Sequence, residues 1–260
     1  MVMVESQDVP ASHVDAVALY QRTIRDLLDD ISATQAAGIQ RAADGLGQVI
    51  LAGGVIHVFG TGHSHMLAEE VFTRAGGLAA INAVLVSSLM LHESALGSSD
   101  VERLLGLGEL IAQQSGLRPG DGAIIISNAG INDVPVQFAL EARERGLFSV
   151  GITSVASSQE LASRHRIGRK LLDVVDVVLD NRAPSGDVAL SLGGEDRWQV
   201  GAVSTITGCM LINSVMVGIA ERLQRSGIAQ PPILISSKLP GAEEHNLAIT
   251  AKYRDRVAHL

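Results

Sequence analysis

Val55-Ile56-His57-Val58-Phe59-Gly60-Thr61-Gly62-His63-Ser64-His65 decides how this chain is read. Residues 55–59 form a short, nearly continuous apolar run, the pattern of a strand buried on both faces of a parallel sheet. A glycine-bearing turn follows, and helix-forming residues begin at once, predicting a helix over 64–75. Glycines 60 and 62 let the backbone approach a ligand closely, and the unpaired N–H groups of a helix start favour an anion. Ser64 is the expected N-cap, and its hydroxyl can also donate to a phosphate oxygen. The plainer reading is a tight strand–helix turn with no ligand. A dinucleotide site fits poorly: His65 stands where that motif needs its third glycine, and the second strand runs into Ser87 with no acid. His57, inside the strand, reads as a satisfied core histidine.

Outward from this stretch, short apolar runs alternate with helical patterns. Strands are predicted over 83–86, 123–127, 148–152 and 174–179, with helices over 101–115 and 134–145. This βαβ alternation predicts an α/β fold, a three-layer parallel sheet flanked by helices. Before it, residues 12–51 are helical, with Val17, Ile24, Leu27 and Ile31 on one face, so that 1–53 form a helical extension packed on the 54–260 domain. Its apolar face either caps the sheet or forms a dimer surface. After it, 180–197 read as loop, 198–225 as one long apolar helix, 233–235 as a strand, and the tail as ending in a polar helix. Cys209 lies inside the long helix, where a buried small hydrophobe is expected rather than a nucleophile.

The third strand ends in a second polar loop, Ile126-Ser127-Asn128-Ala129-Gly130-Ile131-Asn132, which again opens directly into a helix. Asn132 suits the N-cap of that helix, Asp133 its first turn, and Pro135 a place where no N–H is needed. Two such loops at the carboxyl edge of one parallel sheet mark where ligands bind in open α/β proteins.

The pair of loops, Gly60-Thr61-Gly62-His63-Ser64 and Ile126-Ser127-Asn128-Ala129-Gly130, resembles the sugar isomerase (SIS) family, over about residues 54–227. Within it, Gly62-His63-Ser64-His65-Met66 and Leu89-Met90-Leu91-His92-Glu93 look most like stand-alone bacterial SIS proteins related to phosphoheptose isomerases. The resemblance implies a flavodoxin-like fold and a phosphorylated sugar held by Gly60, Gly62, His63, Ser64, His65, Ser127, Asn128, Gly130 and Asn132. It also implies an aldose–ketose isomerase working through an enediolate; a non-catalytic phosphosugar sensor and a phosphosugar lyase or etherase are the alternatives. Two departures stand out. Ala129 replaces a second serine, and losing a hydroxyl bonded to a charged group costs about 1.5–3 kcal/mol. Arg74 occupies the position near which relatives carry a catalytic Glu, and a guanidinium cannot act as a base.

Isomerisation needs a base near the reacting C–H bond and a group to move protons between oxygens. The adjacent His92 and Glu93, in the loop after the second strand, are the expected substitutes, with Glu69 and Glu70 on the first-loop helix as lesser candidates. SIS isomerases often bring a late His or Glu to the sugar, which points to His245 in Gly241-Ala242-Glu243-Glu244-His245-Asn246. His63, His65, Glu69, His92 and Glu93 could ligate a metal, but no motif with metal-ligand spacing is present, so no metal or cofactor is expected.

Composition agrees with a small ligand. A 260-residue chain that is 47% hydrophobic and 18% charged is neither disordered nor low-complexity. One cysteine excludes a disulfide framework. A net charge of −8 and only 3% aromatic residues leave little to hold a polyanion or stack its bases, so no nucleic-acid partner is expected. No basic cluster precedes an apolar run near the amino terminus, and no stretch approaches the ~18 consecutive apolar residues of a membrane helix. The expectation is a cytoplasmic protein with no membrane partner, assembled as a homodimer or higher homo-oligomer.

Overall fold

A computed structural model describes residues 7–9, 15–193 and 198–260. In chain order the elements are β1 (Gln7–Val9), α1 (Ala16–Thr34), α2 (Ala36–Leu51), β2 (Ile56–Gly60), α3 (His65–Val71), β3 (Ile81–Val84), α4 (Ala95–Val101), α5 (Leu107–Gln114) and β4 (Gly122–Ile126). There follow α6 (Asp133–Glu144), β5 (Phe148–Thr153), α7 (Val155–Glu160), β6 (Val177–Asp180), β7 (Val188–Leu192), β8 (Trp198–Ala202), α8 (Ser204–Arg225) and α9 (Ala242–Thr250). Five parallel strands make the main sheet in the order β3-β2-β4-β5-β6.

Because successive side chains of a strand point to opposite faces, each strand feeds two cores. Ile56, Val58, Ile124 and Ile126 join Leu46 of α2, Leu67 of α3 and Leu211, Ile212 and Val215 of α8. On the other face Phe59, Ala123 and Ile125 meet Ile111 of α5 and Val134, Phe138 and Ala142 of α6. The rings of Phe59 and Phe138 stack with centroids 4.4 Å apart. These are the three layers read from the alternation. Among the described residues α8 alone has the length and apolarity to cross a membrane; here it is a core helix, burying Leu211, Ile212, Val215, Ile219 and Leu223.

Several local expectations are corrected by long-range pairing. The predicted loop over 180–197 contains β7, and the predicted helix over 198–225 begins with β8. With β1 these strands form a second sheet, β1-β7-β8, whose Leu190 and Ala189 pack against Leu19 and Leu27 of α1. The helix predicted over 101–115 is broken into α4 and α5 by a left-handed residue, Gly106, at φ +81°. The first-loop helix ends at Val71 rather than near residue 75. The predicted strand over 233–235 is a single antiparallel bridge between Ile233 and Leu78. Most of the apolar face of α1 and α2, left open between two uses, is covered within the chain by α8, the main sheet and the small sheet, while Val17 stays exposed.

The end of the chain returns to the amino edge of the sheet. Arg256 Nη2 donates to both oxygens of Asp121, at 2.7 and 2.8 Å, immediately before β4 begins. The Ala258 N–H donates to Asn82 Oδ1 at 2.9 Å. Asn82 donates in turn to His57 Nδ1, so the protonated Nε2 of His57 donates to Asp121 at 3.1 Å. His57 is the satisfied core histidine expected of it. Four partners in all hold Asp121, whose carboxyl would otherwise be raised by burial. Bonds from His57, Val55, Arg256 and Arg118 outweigh that burial and set it at about 2.

Candidate functional site

The chain enters the sheet at β2, steps to β3 on one side, and then crosses to β4 on the other. Ligands settle at such a reversal, outside the carboxyl ends of the two diverging strands. Here β2 and β4 end in the two polar loops, and a cavity of about 280 Å³ opens between them. Its border includes Thr61, Gly62, His63 and Ser64 from the first loop and Ser127, Asn128, Ala129 and Asn132 from the second. Ser98 of α4 and Glu102 just past it close one side, and Asp187 before β7 and Ser204 at the start of α8 another.

The first loop is shaped by two glycines. A Cβ on Gly60 would lie 2.5 Å from the Ser64 carbonyl oxygen, so only glycine lets the turn fold back on itself. Gly62 sits at φ +55°, in the left-handed region. A single 3₁₀ turn over Gly62–Ser64 leads into α3, with the Ser64 N–H donating to Thr61 O at 3.0 Å. Ser64 therefore holds the N-cap position expected of it, but without a side-chain cap. Its backbone is already helical, its side chain makes no capping bond, and the residue borders the cavity.

The second loop is tied by Ser127, whose Oγ accepts from the Gly130 N–H at 3.2 Å. Its hydroxyl hydrogen is then left to donate elsewhere. Asn132 holds the N-cap position of α6 with an extended backbone, yet its side chain does not cap either. Its Nδ2 donates to Glu102 Oε1 at 2.6 Å and its Oδ1 accepts from Arg164 at 3.0 Å. Both loops thus open into helices with no side-chain cap; the Ser64 and His65 N–H groups close the 3₁₀ turn, and the Val134 N–H of α6 donates to Glu102 O at 3.2 Å. Ile131, an apolar residue in this loop, is buried away from the cavity.

Glu102 lies just past α4, at the break that divides the predicted helix. Its Oε2 accepts from Thr61 Oγ1 at 2.8 Å, while Oε1 accepts from Asn132, so one carboxylate joins the two loops. Burial raises its pKa above the usual carboxylate value, opposed by the Thr61 bond and by the charges of Arg103 and Arg164. Asp187, at φ +61°, accepts from the N–H groups of Val203 and Ser204 and from Ser204 Oγ, at 3.2, 2.7 and 2.7 Å. It does for α8 what neither loop residue does for its own helix. Neither carboxylate was singled out from the sequence. Glu102 falls at the start of a predicted helix and Asp187 in a predicted loop, with no motif around either.

The remaining expected residues fall into two groups. Gly60 and Gly130 shape the loops without bordering the cavity. His65 is buried behind the first loop, where Nδ1 donates to Gly62 O at 2.9 Å and Nε2 lies 3.4 Å from Glu69. His92 and Glu93 lie together on the surface, 3.7 Å apart and more than half exposed, and neither borders the cavity. Glu69 is exposed, and Glu70 is paired with Arg74 and accepts from Asn213. His245 is on α9, whose Ile249 packs with Ala79 and Leu234 at the amino edge, and it donates to the Ile233 carbonyl at 3.0 Å. The tail thus takes His245 to the opposite end of the sheet. Burial raises the Cys209 thiol, in keeping with a core role. Among the described residues, no three His, Cys, Asp or Glu side chains gather as a metal site would require.

The model of the SIS domain matches residues 19–154. A UPF0309 protein of Caldanaerobacter subterraneus is 41% identical over 244 residues, covering 93% of this chain and 99% of the relative. A UPF0309 protein of Brucella canis is 43% identical over 225 residues, covering 86% of this chain and 90% of the relative. A phosphoheptose isomerase from Francisella tularensis superposes with a TM-score of 0.53 at 14% identity, covering 80% of this chain and 97% of that one, a likeness of fold. With the sheet order, the two loops and these matches in agreement, the chain belongs to the SIS domain family.

Proposed function

We propose that this protein binds a phosphorylated sugar at the carboxyl edge of its sheet and interconverts its aldose and ketose forms through an enediolate. One observation carries the reading: the polar loops that end β2 and β4, with the hydroxyls of Ser64 and Ser127, meet at a single cavity at the switch point of the sheet. Among the described residues no Lys or Arg borders that cavity. An anionic group would be met by N–H and O–H dipoles, as in backbone anion nests. The family supports a phosphosugar as the anion, and the cavity volume suits a single small sugar. The carboxylates at its border supply the acid–base capacity that moving a proton between neighbouring carbons requires.

A thermal-shift screen of sugar phosphates against the unphosphorylated sugars tests the ligand class, because binding to the native state alone raises stability by mass action. Calorimetry on Ser64→Ala and Ser127→Ala should then show affinity for the phosphosugar weakened by about 1.5–3 kcal/mol each, with the fold retained. Unchanged affinity in two folded variants would remove the phosphate from these loops. The surface positions of His92 and Glu93, and the distant position of His245, favour a second reading, a phosphosugar sensor that binds without turnover.

A further inference from the structure

We infer that Glu102 is the proton-transfer base of this site, taking and returning the proton that moves between the two carbons of a bound phosphosugar. The inference rests on the phosphosugar reading above and goes further by naming the residue. Among the described residues two carboxylates border the cavity, Glu102 and Asp187, and their surroundings differ in kind. Asp187 holds two backbone N–H groups and a hydroxyl at the start of α8, so protonating it would break the cap of a 22-residue helix. Glu102 accepts only from neutral side chains, the Thr61 hydroxyl and the Asn132 amide, and can take a proton without uncapping any helix. Thr61 follows β2 and Asn132 opens α6, so the two loops that hold the anion also hold this carboxylate at a fixed place beside it. Burial weakens its acidity relative to an ordinary carboxyl, which makes the carboxylate a better base.

The step balances within the site. The Glu102 carboxylate takes the proton from the carbon next to the carbonyl, and the C–H electron pair becomes the double bond of the enediolate. The carbonyl pair moves onto oxygen. Glu102, now neutral, returns the proton to the neighbouring carbon, while the hydroxyl proton passes from one sugar oxygen to the other. No proton is gained or lost overall.

Glu102→Gln tests this with little disturbance, since the amide oxygen can still accept from Asn132 and the Thr61 hydroxyl can turn to accept from the amide. The readouts are calorimetric affinity across a panel of aldose and ketose phosphates, and solvent deuterium exchange at C2 followed by proton NMR. We expect the variant to bind within about threefold of the parent and to exchange at least ~10²-fold more slowly. Glu102→Asp should recover part of the exchange, and the parent rate should rise with pH as the carboxyl ionises. Three results would overturn the assignment: parental exchange in Glu102→Gln, equal loss of binding and exchange, which makes Glu102 a clamp only, or a parent that binds phosphosugars and exchanges none. A folded parent that binds none of the panel fails at the earlier step, and the ligand class falls together with the base.

Discussion

At residue 129 the second loop carries a methyl group where a hydroxyl would face the cavity. Its neighbour Ser127 is arranged to donate, since its Oγ accepts from the Gly130 N–H and its hydroxyl hydrogen is left over. Ala129→Ser should therefore add a donor to the bound anion and tighten a phosphosugar by up to about tenfold, as a hydrogen bond to a charged group is worth about 1.5–3 kcal/mol before the serine rotamer is fixed. Calorimetry of parent and variant with the same sugar phosphate decides it. Weaker binding would mean that the anion does not reach this loop. The same residue scale separates the two cavity carboxylates, one spent on capping and the other held between amide and hydroxyl.

At the scale of elements, the start of α6 is braced from behind by the segment after α7. The Arg164 N–H donates to Ile131 O at 2.9 Å. His165 Nε2 donates to Gln137 at 2.9 Å and lies 3.7 Å from the buried Asp133. Burial lowers the His165 pKa below its ordinary 6.5, against the pull of Asp133. Below about 6.5 the unfolded chain takes up a proton that the folded chain refuses, so unfolding is favoured as pH falls and stability is fully retained above it. Denaturant midpoints measured from pH 8 to pH 5 should fall on the acid side, and His165→Gln should flatten that slope. An unchanged slope in the variant would assign the acid loss to another group. The break at Gly106 acts at this scale too. α4 ends at Val101 and Gly106 opens α5, so Glu102 sits in the break and borders the cavity.

Across the whole molecule the two ends of the sheet do different work. The carboxyl edge holds the cavity, and the amino edge, a strand length of about 17 Å away, holds the tail through Asp121. With its pKa near 2 in the fold and 3.8 as an ordinary Asp, this group adds about 2 kcal/mol of stability above pH 4, lost as pH falls toward 2. Arg256→Ala removes both of its donors to Asp121 but leaves those from His57, Val55 and Arg118. It should destabilise the protein by about 2 kcal/mol, or a Tm lower by about 5 °C. Phosphosugar affinity should stay within about twofold, because the latch and the cavity share no residue. Loss of ligand binding in a folded Arg256→Ala protein would show that the two edges are coupled.

The sequence by itself determined the parallel sheet and both loops. Continuous apolar runs, the glycines at 60, 62 and 130, and the polar residues between them are local signals, and local sterics and burial act on them alike in any context. The tertiary structure decided what those loops face. β7 and β8 exist because Leu190 finds Val200 across the strands and α1 to pack against, which no single stretch encodes. Glu102 reaches the cavity through partners 41 and 30 residues away, and Asp187 through a helix start 17 residues on. His245 is kept from it by a tail that Asp121 holds at the far edge from 135 residues back. Hydrophobic periodicity places elements, but the partners of a polar side chain depend on which elements meet, and that is settled only when the chain closes on itself.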